Sequence, residues 1–385
     1  MDNFTFYSPT KFVFGKGEEN NVGALCKARG AKKVMIVYGG GSVVRSGLLD
    51  RVKASLQKEG IAYCEHGGVK PNPRFEHMCE GAELARKEGV DLLLAVGGGS
   101  CIDEAKGIGI AALYDGDPWD FFCGKKVADV CIPVGCILTI AAAGSEGSDG
   151  CVITREDMKF KGGPAKVPDL FRPVFSIMNP ELTYTLPAYQ TGCGVTDIFV
   201  HVVERYFTNT PDGYLIDNLC ESVFRTMIKY GPKALENPED YNARAQIMWG
   251  GMIAHNNTCG VGRVQDWGSH GLQAPIGALY DSAHGAGLAT MCPAWMKYVY
   301  KHDVARFVQY ATRVWGVDND VYDPEGVALE GIARTKAFFK SLGMPVTLSE
   351  LGVKDEDLDF LCDRTIGNFV KLQKDDIRAI YELAR

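Results

Sequence analysis

Leu92-Leu93-Leu94-Ala95-Val96-Gly97-Gly98-Gly99-Ser100 is the stretch that decides the fold class. Five consecutive apolar residues suit a parallel strand covered on both faces, because a solvated face would call for alternating polar residues. The strand runs straight into three glycines, and helical periodicity follows from about residue 101 to 114. Strand, glycine turn and helix make one unit of a doubly wound α/β domain. Glycines let the backbone approach a ligand closely, and the helix behind them offers free N–H groups and a positive dipole end. Gly98, Gly99 and Ser100 therefore read as a phosphate-binding turn, with a ligand-free tight turn as the alternative. The G-x-G-x-x-G fingerprint would need glycine where Ile102 stands, so this turn departs from it.

The same unit recurs upstream. Residues 10–14, 33–38 and 61–64 are strand-like, and residues 47–59 and 75–88 carry apolar side chains at helical spacing. The stiff turn Lys70-Pro71-Asn72-Pro73 precedes the last of these, and Gly39-Gly40-Gly41-Ser42 closes the strand at 33–38. An acidic residue at such a strand end often bonds the adenosine ribose of NAD. Here Tyr38 and three glycines stand in its place, so a 2′-phosphate would meet no like charge and Ser42 could donate to it. That inclines the reading towards NADP over NAD, with a bare turn as the competing explanation. After about Pro187 the texture changes to long helical periodicities, at 196–208, 214–230, 243–256, 303–315 and 324–342. The pattern predicts a dinucleotide-binding α/β domain over residues 1–185 and an all-α domain over 186–385.

The helical half contains Gly194-Val195-Thr196-Asp197-Ile198-Phe199-Val200-His201. On a helix, Asp197 and His201 leave one face a turn apart, where a carboxylate and an imidazole can share one divalent cation. Of seven histidines, His66 and His77 stand away from ligand-like neighbours, His302 begins a charged helix, and His255 reads as a hydrogen-bonded helix residue. His270 and His284 remain. They are fourteen apart with Pro275 and Gly277 between them, so two helical pieces meeting at an angle are expected rather than one helix. The competing reading of Asp197 and His201 is a solvated or capping pair.

Composition narrows the partners. A net charge of −7 without a Lys/Arg cluster makes a poor nucleic-acid binder. The longest mainly apolar stretch, residues 131–144, is broken by Pro133 and Gly135 and is too short to span a bilayer. The first residues lack the pattern of a signal peptide. Thirteen cysteines, an odd number with no C-x-x-C pair, suggest reduced thiols in a cytoplasm.

Taken in order, these residues resemble the iron-containing (group III) alcohol dehydrogenases, in their butanol dehydrogenase-like, aldehyde-reducing branch. The resemblance runs through Phe14-Gly15-Lys16-Gly17, Tyr38 to Ser42, Gly68 to Pro73, Gly97 to Asp103, Leu138-Thr139, Gly144-Ser145-Glu146, Asp197 to His201, Gln265-Asp266-Trp267 with His270, and His284-Gly285. It implies the dehydroquinate synthase-like architecture, with cofactor and metal sharing the cleft between the two domains. It implies that Asp197, His201, His270 and His284 ligate iron(II), or zinc. It also implies that Gly40, Gly41, Ser42, Asn72, Gly98, Gly99, Ser100 and Thr139 line the nucleotide, with Asp103 near the nicotinamide and Lys161 as a cofactor lysine. Asp103 and His270 are the expected catalytic positions, the substrates are small aldehydes and primary alcohols, and a homodimer is the expected assembly. Two departures stand out. Ala143 replaces the usual threonine before Gly-Ser-Glu, and Ala274 replaces a histidine four residues after the third ligand. The second keeps open a homologue that holds cofactor and metal but has a specialised substrate or no turnover. A lyase resembling dehydroquinate synthase is a further rival, but residues 249–284 offer only Arg263 to clamp a phosphorylated acid.

Overall fold

A six-stranded parallel sheet organises the first half of the chain. The computed structural model describes residues 1–385 apart from the Pro168 side chain. Its contacts divide the chain into Tyr7–Thr185 and a second unit made of Met1–Phe6 with Leu186–Arg385. The N-terminal hexapeptide thus groups with the helical half, where Asp2 N–H donates to Gly262 O at 2.9 Å.

The strands are β1 (Lys11–Phe14), β2 (Lys33–Gly39), β3 (Ala62–Val69), β4 (Leu92–Gly97), β5 (Val134–Leu138), the hairpin β6 (Ile153–Arg155) and β7 (Phe160–Gly162), and β8 (Phe175–Met178). The sheet order is β1-β8-β5-β4-β2-β3, every neighbour pair parallel, with the hairpin apart from it. Every residue of β4 and β5 is buried, as an unbroken apolar run requires. Helices α1 (Val22–Ala28) and α2 (Leu48–Lys58) cover one face, packing Val22, Cys26, Leu48 and Val52 on Val34, Ile36, Leu92 and Leu94. The alternate residues Met35, Val37, Leu93 and Ala95 are equally buried, and helices α3 (Phe75–Glu88) and α4 (Gly99–Ala111) pack together and against the strands. From β2 the chain steps outward to β3, then returns across β2 to β4. The turns after β2 and β4 therefore flank the point where strand order reverses, the crevice in which such sheets bind ligands.

The second unit contains α5 (Ala188–Tyr206), α6 (Tyr214–Glu236), α7 (Tyr241–His255), α8 (Gly268–Tyr280), α9 (His284–Val299), α10 (Val304–Trp315), α11 (Pro324–Ser341) and α12 (Lys374–Leu383). Aspartate side chains cap α7, α10 and α11: Asp240 accepts from Ala243 N–H, Asp303 from Arg306 N–H and Asp323 from Gly326 N–H. Helix α5 is buried at every position from Thr191 to Tyr206 and packs against α6, α7 and α9. Polar groups on it therefore face protein on all sides. Among the described residues this unit has no strand, only an isolated bridge between Ile366 and Leu372. Among the described residues no helix is long and apolar enough to cross a membrane.

Candidate metal centre and nucleotide turn

Helix α5 places Asp197 and His201 one turn apart, both almost fully buried. Two further helices deliver the remaining imidazoles, His270 from the first turn of α8 and His284 as the first residue of α9. The break between these helices falls at Asp281, which sits in the left-handed region with φ 49°. Asp197 Oδ1 lies 3.3 Å from His201 Nε2, 3.7 Å from His284 Nε2 and 4.0 Å from His270 Nε2. Three imidazole nitrogens thus converge on one carboxylate oxygen.

The rings are held from behind. Glu204, fully buried, accepts both the His270 ring Nδ1–H and its backbone N–H at 2.8 Å through one oxygen. Gln273 Oε1 accepts from His284 Nδ1 at 2.7 Å. Each contact fixes the tautomer whose Nε2 lone pair faces Asp197, the arrangement that orients imidazoles for a metal. Burial, with His255, His270, Arg205 and His284 nearby, pushes the His201 imidazole well below its ordinary 6.5 and keeps it neutral. His270 Nε2 is buried and makes no hydrogen bond among the described residues. A divalent cation would satisfy that atom, and three neutral imidazoles with one carboxylate are a donor set for iron(II) or zinc. The residues present fit such an ion.

A second layer supports the first. Trp267, at φ 67°, turns the chain into α8, and the Arg205 guanidinium lies 4.8 Å over its ring. Arg205 also donates to His255 Nδ1 at 2.7 Å, while the His255 ring lies 4.0 Å from that of His201. Asp266 accepts from Gly268, Asn368 and Phe369 N–H, yet burial and then the Glu204 charge raise its carboxyl to about 7. Neither Glu204 nor Gln273 received a role at the sequence level. The available signal was spacing: Asp197, His201 and Glu204 fall at i, i+4 and i+7, one stripe of a helix.

In the α/β unit the nucleotide candidates gather at the carboxyl edge of the sheet. Tyr38 pairs with Val96, so the turns containing Gly40, Gly41 and Ser42 and containing Gly98, Gly99 and Ser100 follow adjacent strand ends. Gly41 takes φ 118°, which side chains rarely adopt. Thr139 joins the second turn, its N–H donating to Gly97 O at 3.0 Å. Helix α4 starts at Gly99 without a side-chain cap, leaving its first N–H groups for an anion. Asp103 accepts from Ser145 Oγ at 2.5 Å and from Val152 N–H at 3.0 Å. Burial raises its carboxyl, with Lys106 opposing. The fully buried Lys106 donates to Ser145 O, Ser145 Oγ, Ser148 O and Gly150 O at 2.8–3.1 Å, tying down the segment that bonds Asp103. Lys161, on β7, donates to Asn72 Oδ1 at 2.8 Å, so these two candidates meet.

Two expectations change. His66 and His77 are not away from ligand-like neighbours: both contact Glu104, 38 and 27 residues further along the chain. That pairing depends on β3, α3 and α4 packing together, which local spacing does not show. Arg263, the single basic group considered for an acidic substrate, is spent on Asp217 and on the carbonyls of Arg205 and Gly213. This removes support from the lyase reading.

Comparison with known proteins decides the family. The iron-containing alcohol dehydrogenase model matches residues 9–180, and the C-terminal model of the Fe-containing alcohol dehydrogenase family matches residues 191–385. The chain belongs to the iron-containing alcohol dehydrogenase family. Within it, the chain is 41% identical to a probable NADH-dependent butanol dehydrogenase 2 of Bacillus subtilis, covering 99% of each. It is 38% identical to the NADPH-dependent aldehyde reductase YqhD of Escherichia coli over the full length of both. The crystal structure of NADH-dependent butanol dehydrogenase A from Thermotoga maritima matches with a TM-score of 0.96 at 39% identity, covering 100% of this chain and 99% of that one. The iron-containing dehydrogenase fold therefore accounts for the whole chain.

Proposed function

We propose that this chain is an oxidoreductase that interconverts primary alcohols and aldehydes by hydride exchange with a nicotinamide nucleotide, butanal and butanol being representative substrates. The observation that carries the reading is the convergence of the His201, His270 and His284 Nε2 atoms on Asp197 Oδ1. These four residues would hold iron(II), or zinc. When bound, such a cation supplies Lewis acidity towards the substrate oxygen. The side chains do the rest. Glu204 and Gln273 orient the imidazoles, and burial of α5 encloses Asp197 and His201 while His284 stays partly exposed. Gly40, Gly41, Ser42, Gly98, Gly99, Ser100 and Thr139 receive the nucleotide, with Asn72 and Lys161 as a pair beside them and Asp103 held by Ser145 towards the nicotinamide.

NADP is the preferred nucleotide in this reading and NAD the lesser one. Support comes from the turn after β2, which carries glycines and Ser42 where a carboxylate would repel a 2′-phosphate. The nearby Glu65 already accepts from Tyr38 Oη at 3.1 Å and pairs with Lys53 at 2.9 Å. A cytoplasmic homodimer completes the proposal, and thirteen free cysteines suit a reducing compartment.

Ala274 supports a second reading. It stands one turn after His270 on α8 and brings no group able to relay a proton. A protein that binds NADPH and iron yet turns over no simple aldehyde would fit it.

The test is NADPH oxidation with butanal, using protein purified without oxygen and loaded with iron(II), beside a chelated control. Turnover that disappears on chelation supports the reductase. Iron and NADPH both bound, without turnover, favours the second reading.

A further inference from the structure

We infer that the α/β unit carries a second divalent transition-metal site, built from His66, His77 and Glu104. The three residues come from three elements, β3, α3 and the helix α4 that follows the nucleotide turn. His66 Nε2 lies 3.0 Å and His77 Nδ1 2.6 Å from the same oxygen, Glu104 Oε1. The two rings are 4.2 Å apart, and the three potential ligand atoms all lie within 4.8 Å of one another. Neither sequence position nor any role in hydride exchange accounts for this cluster.

The carboxylate is the decisive observation. Glu104 is fully buried, at 0% exposure. Its second oxygen, Oε2, has no hydrogen-bond partner among the described residues. A buried carboxylate with one oxygen unsatisfied is costly unless a cation compensates it. Two imidazoles and one carboxylate form a donor set for zinc-class cations, whereas calcium and magnesium call for oxygen ligands. Metal–ligand bonds of about 2.1 Å in tetrahedral geometry would set the donors about 3.4 Å apart, so small side-chain shifts suffice. The His77 side chain is about one quarter exposed, which leaves water access to a further coordination position. The local backbone keeps the space open. A Cβ at Gly81 would come within 2.9 Å of His66 Nε2. The site ties β3, α3 and α4 together, so its role is to brace the helix behind the glycine turn.

The test uses the full chain, stripped with chelator and re-equilibrated with Zn²⁺ alone, with bound zinc counted by mass spectrometry. Asp197→Ala with His270→Ala disables the centre in the helical unit. That double variant should retain one zinc per chain, and its melting temperature should rise by several degrees on zinc addition. Adding His77→Ala should abolish both the zinc and the shift, with unchanged circular dichroism, and Glu104→Gln should act in the same way. Mg²⁺ should produce neither effect. A double variant that binds no zinc at micromolar concentration, or one that keeps its zinc after His77→Ala, overturns the inference. If the double variant does not fold, the single His77→Ala change decides. It should lower the wild-type content from two zinc ions to one, and an unchanged content overturns the site.

Discussion

Glu204 offers the sharpest test of how the helical unit prepares its histidines. One oxygen of this fully buried carboxylate accepts two bonds of 2.8 Å from His270, one from ring Nδ1 and one from the backbone N–H. Hydrogen bonds to a charged group contribute about 1.5–3 kcal/mol each. Glu204→Gln leaves an acceptor in place but removes the charge, which roughly halves their strength. Counting the ring Nδ1–H bond alone, which orients the metal-facing nitrogen, the loss is on the order of 1 kcal/mol and corresponds to about fivefold to tenfold weaker metal binding. Glu204→Ala removes the acceptor and frees the ring to rotate, and the loss should approach a hundredfold. The assay is anaerobic competition of stripped protein with a chromophoric chelator for iron(II) and for zinc. NADPH affinity, measured by fluorescence, should stay within twofold, because the nucleotide candidates lie in the other unit. A Glu204→Ala protein that folds and binds metal as tightly as wild type would falsify the orienting role. Equal losses in both variants would mean that charge rather than ring position carries the effect.

Three further perturbations address other residues. Gly41→Ala forces a side chain into φ 118°, with its Cβ 3.1 Å from an Arg45 nitrogen. It should weaken NADPH binding by about tenfold in titration and leave metal content unchanged, given about 1–3 kcal/mol for such backbone strain. Ala274→His should fill the space one turn from His270, lowering kcat/KM for a branched or aromatic aldehyde about tenfold relative to butanal. Unchanged size selectivity sinks that idea. Glu146 is buried, and burial raises its carboxyl to about 7 from 4.5. Above pH 4.5 the unfolded chain gives up this proton before the folded one does, so Glu146 makes stability fall as pH rises towards 7. Glu146→Gln should therefore match wild type at pH 4 and be more stable at pH 8, by up to about 3 kcal/mol in urea unfolding. Parallel curves across that range would refute the assignment.

The parts of the fold legible in the sequence were those whose signal is local. The buried run at β4 and its glycine turn, the periodicity of α3, and the Asp197 and His201 pair on α5 all depend on neighbours within a few residues. Strands β5 and β8 were harder to see. Both are fully buried, so they show no alternation, and β5 lies in an apolar stretch interrupted by Pro133 and Gly135. Two helical pieces between His270 and His284 were expected from Pro275 and Gly277, yet α8 continues through both to Tyr280 and the break falls later, at Asp281 in the left-handed region.

The supporting chemistry was less legible because it is made through space. Lys106 looks like any helical lysine until the 145–150 segment folds over it and occupies its ammonium with four acceptors. Glu104 follows Asp103 on the same helix, yet the two carboxylates meet opposite circumstances. One is tied by Ser145 and the Val152 N–H, the other is buried against two histidines. Adjacent positions on a helix point about 100° apart, so residue type alone could not assign either fate. What separates a ligand from a solvated charge here is the second partner: Glu204 for His270, Gln273 for His284, Ser145 for Asp103. Each of those partners lies a helix turn or more away in the chain. A sequence reading that searched for carboxylates and amides on the same helical stripe as each candidate ligand would have recovered the first two, and only the packing of α4 against the 145–150 segment supplies the third.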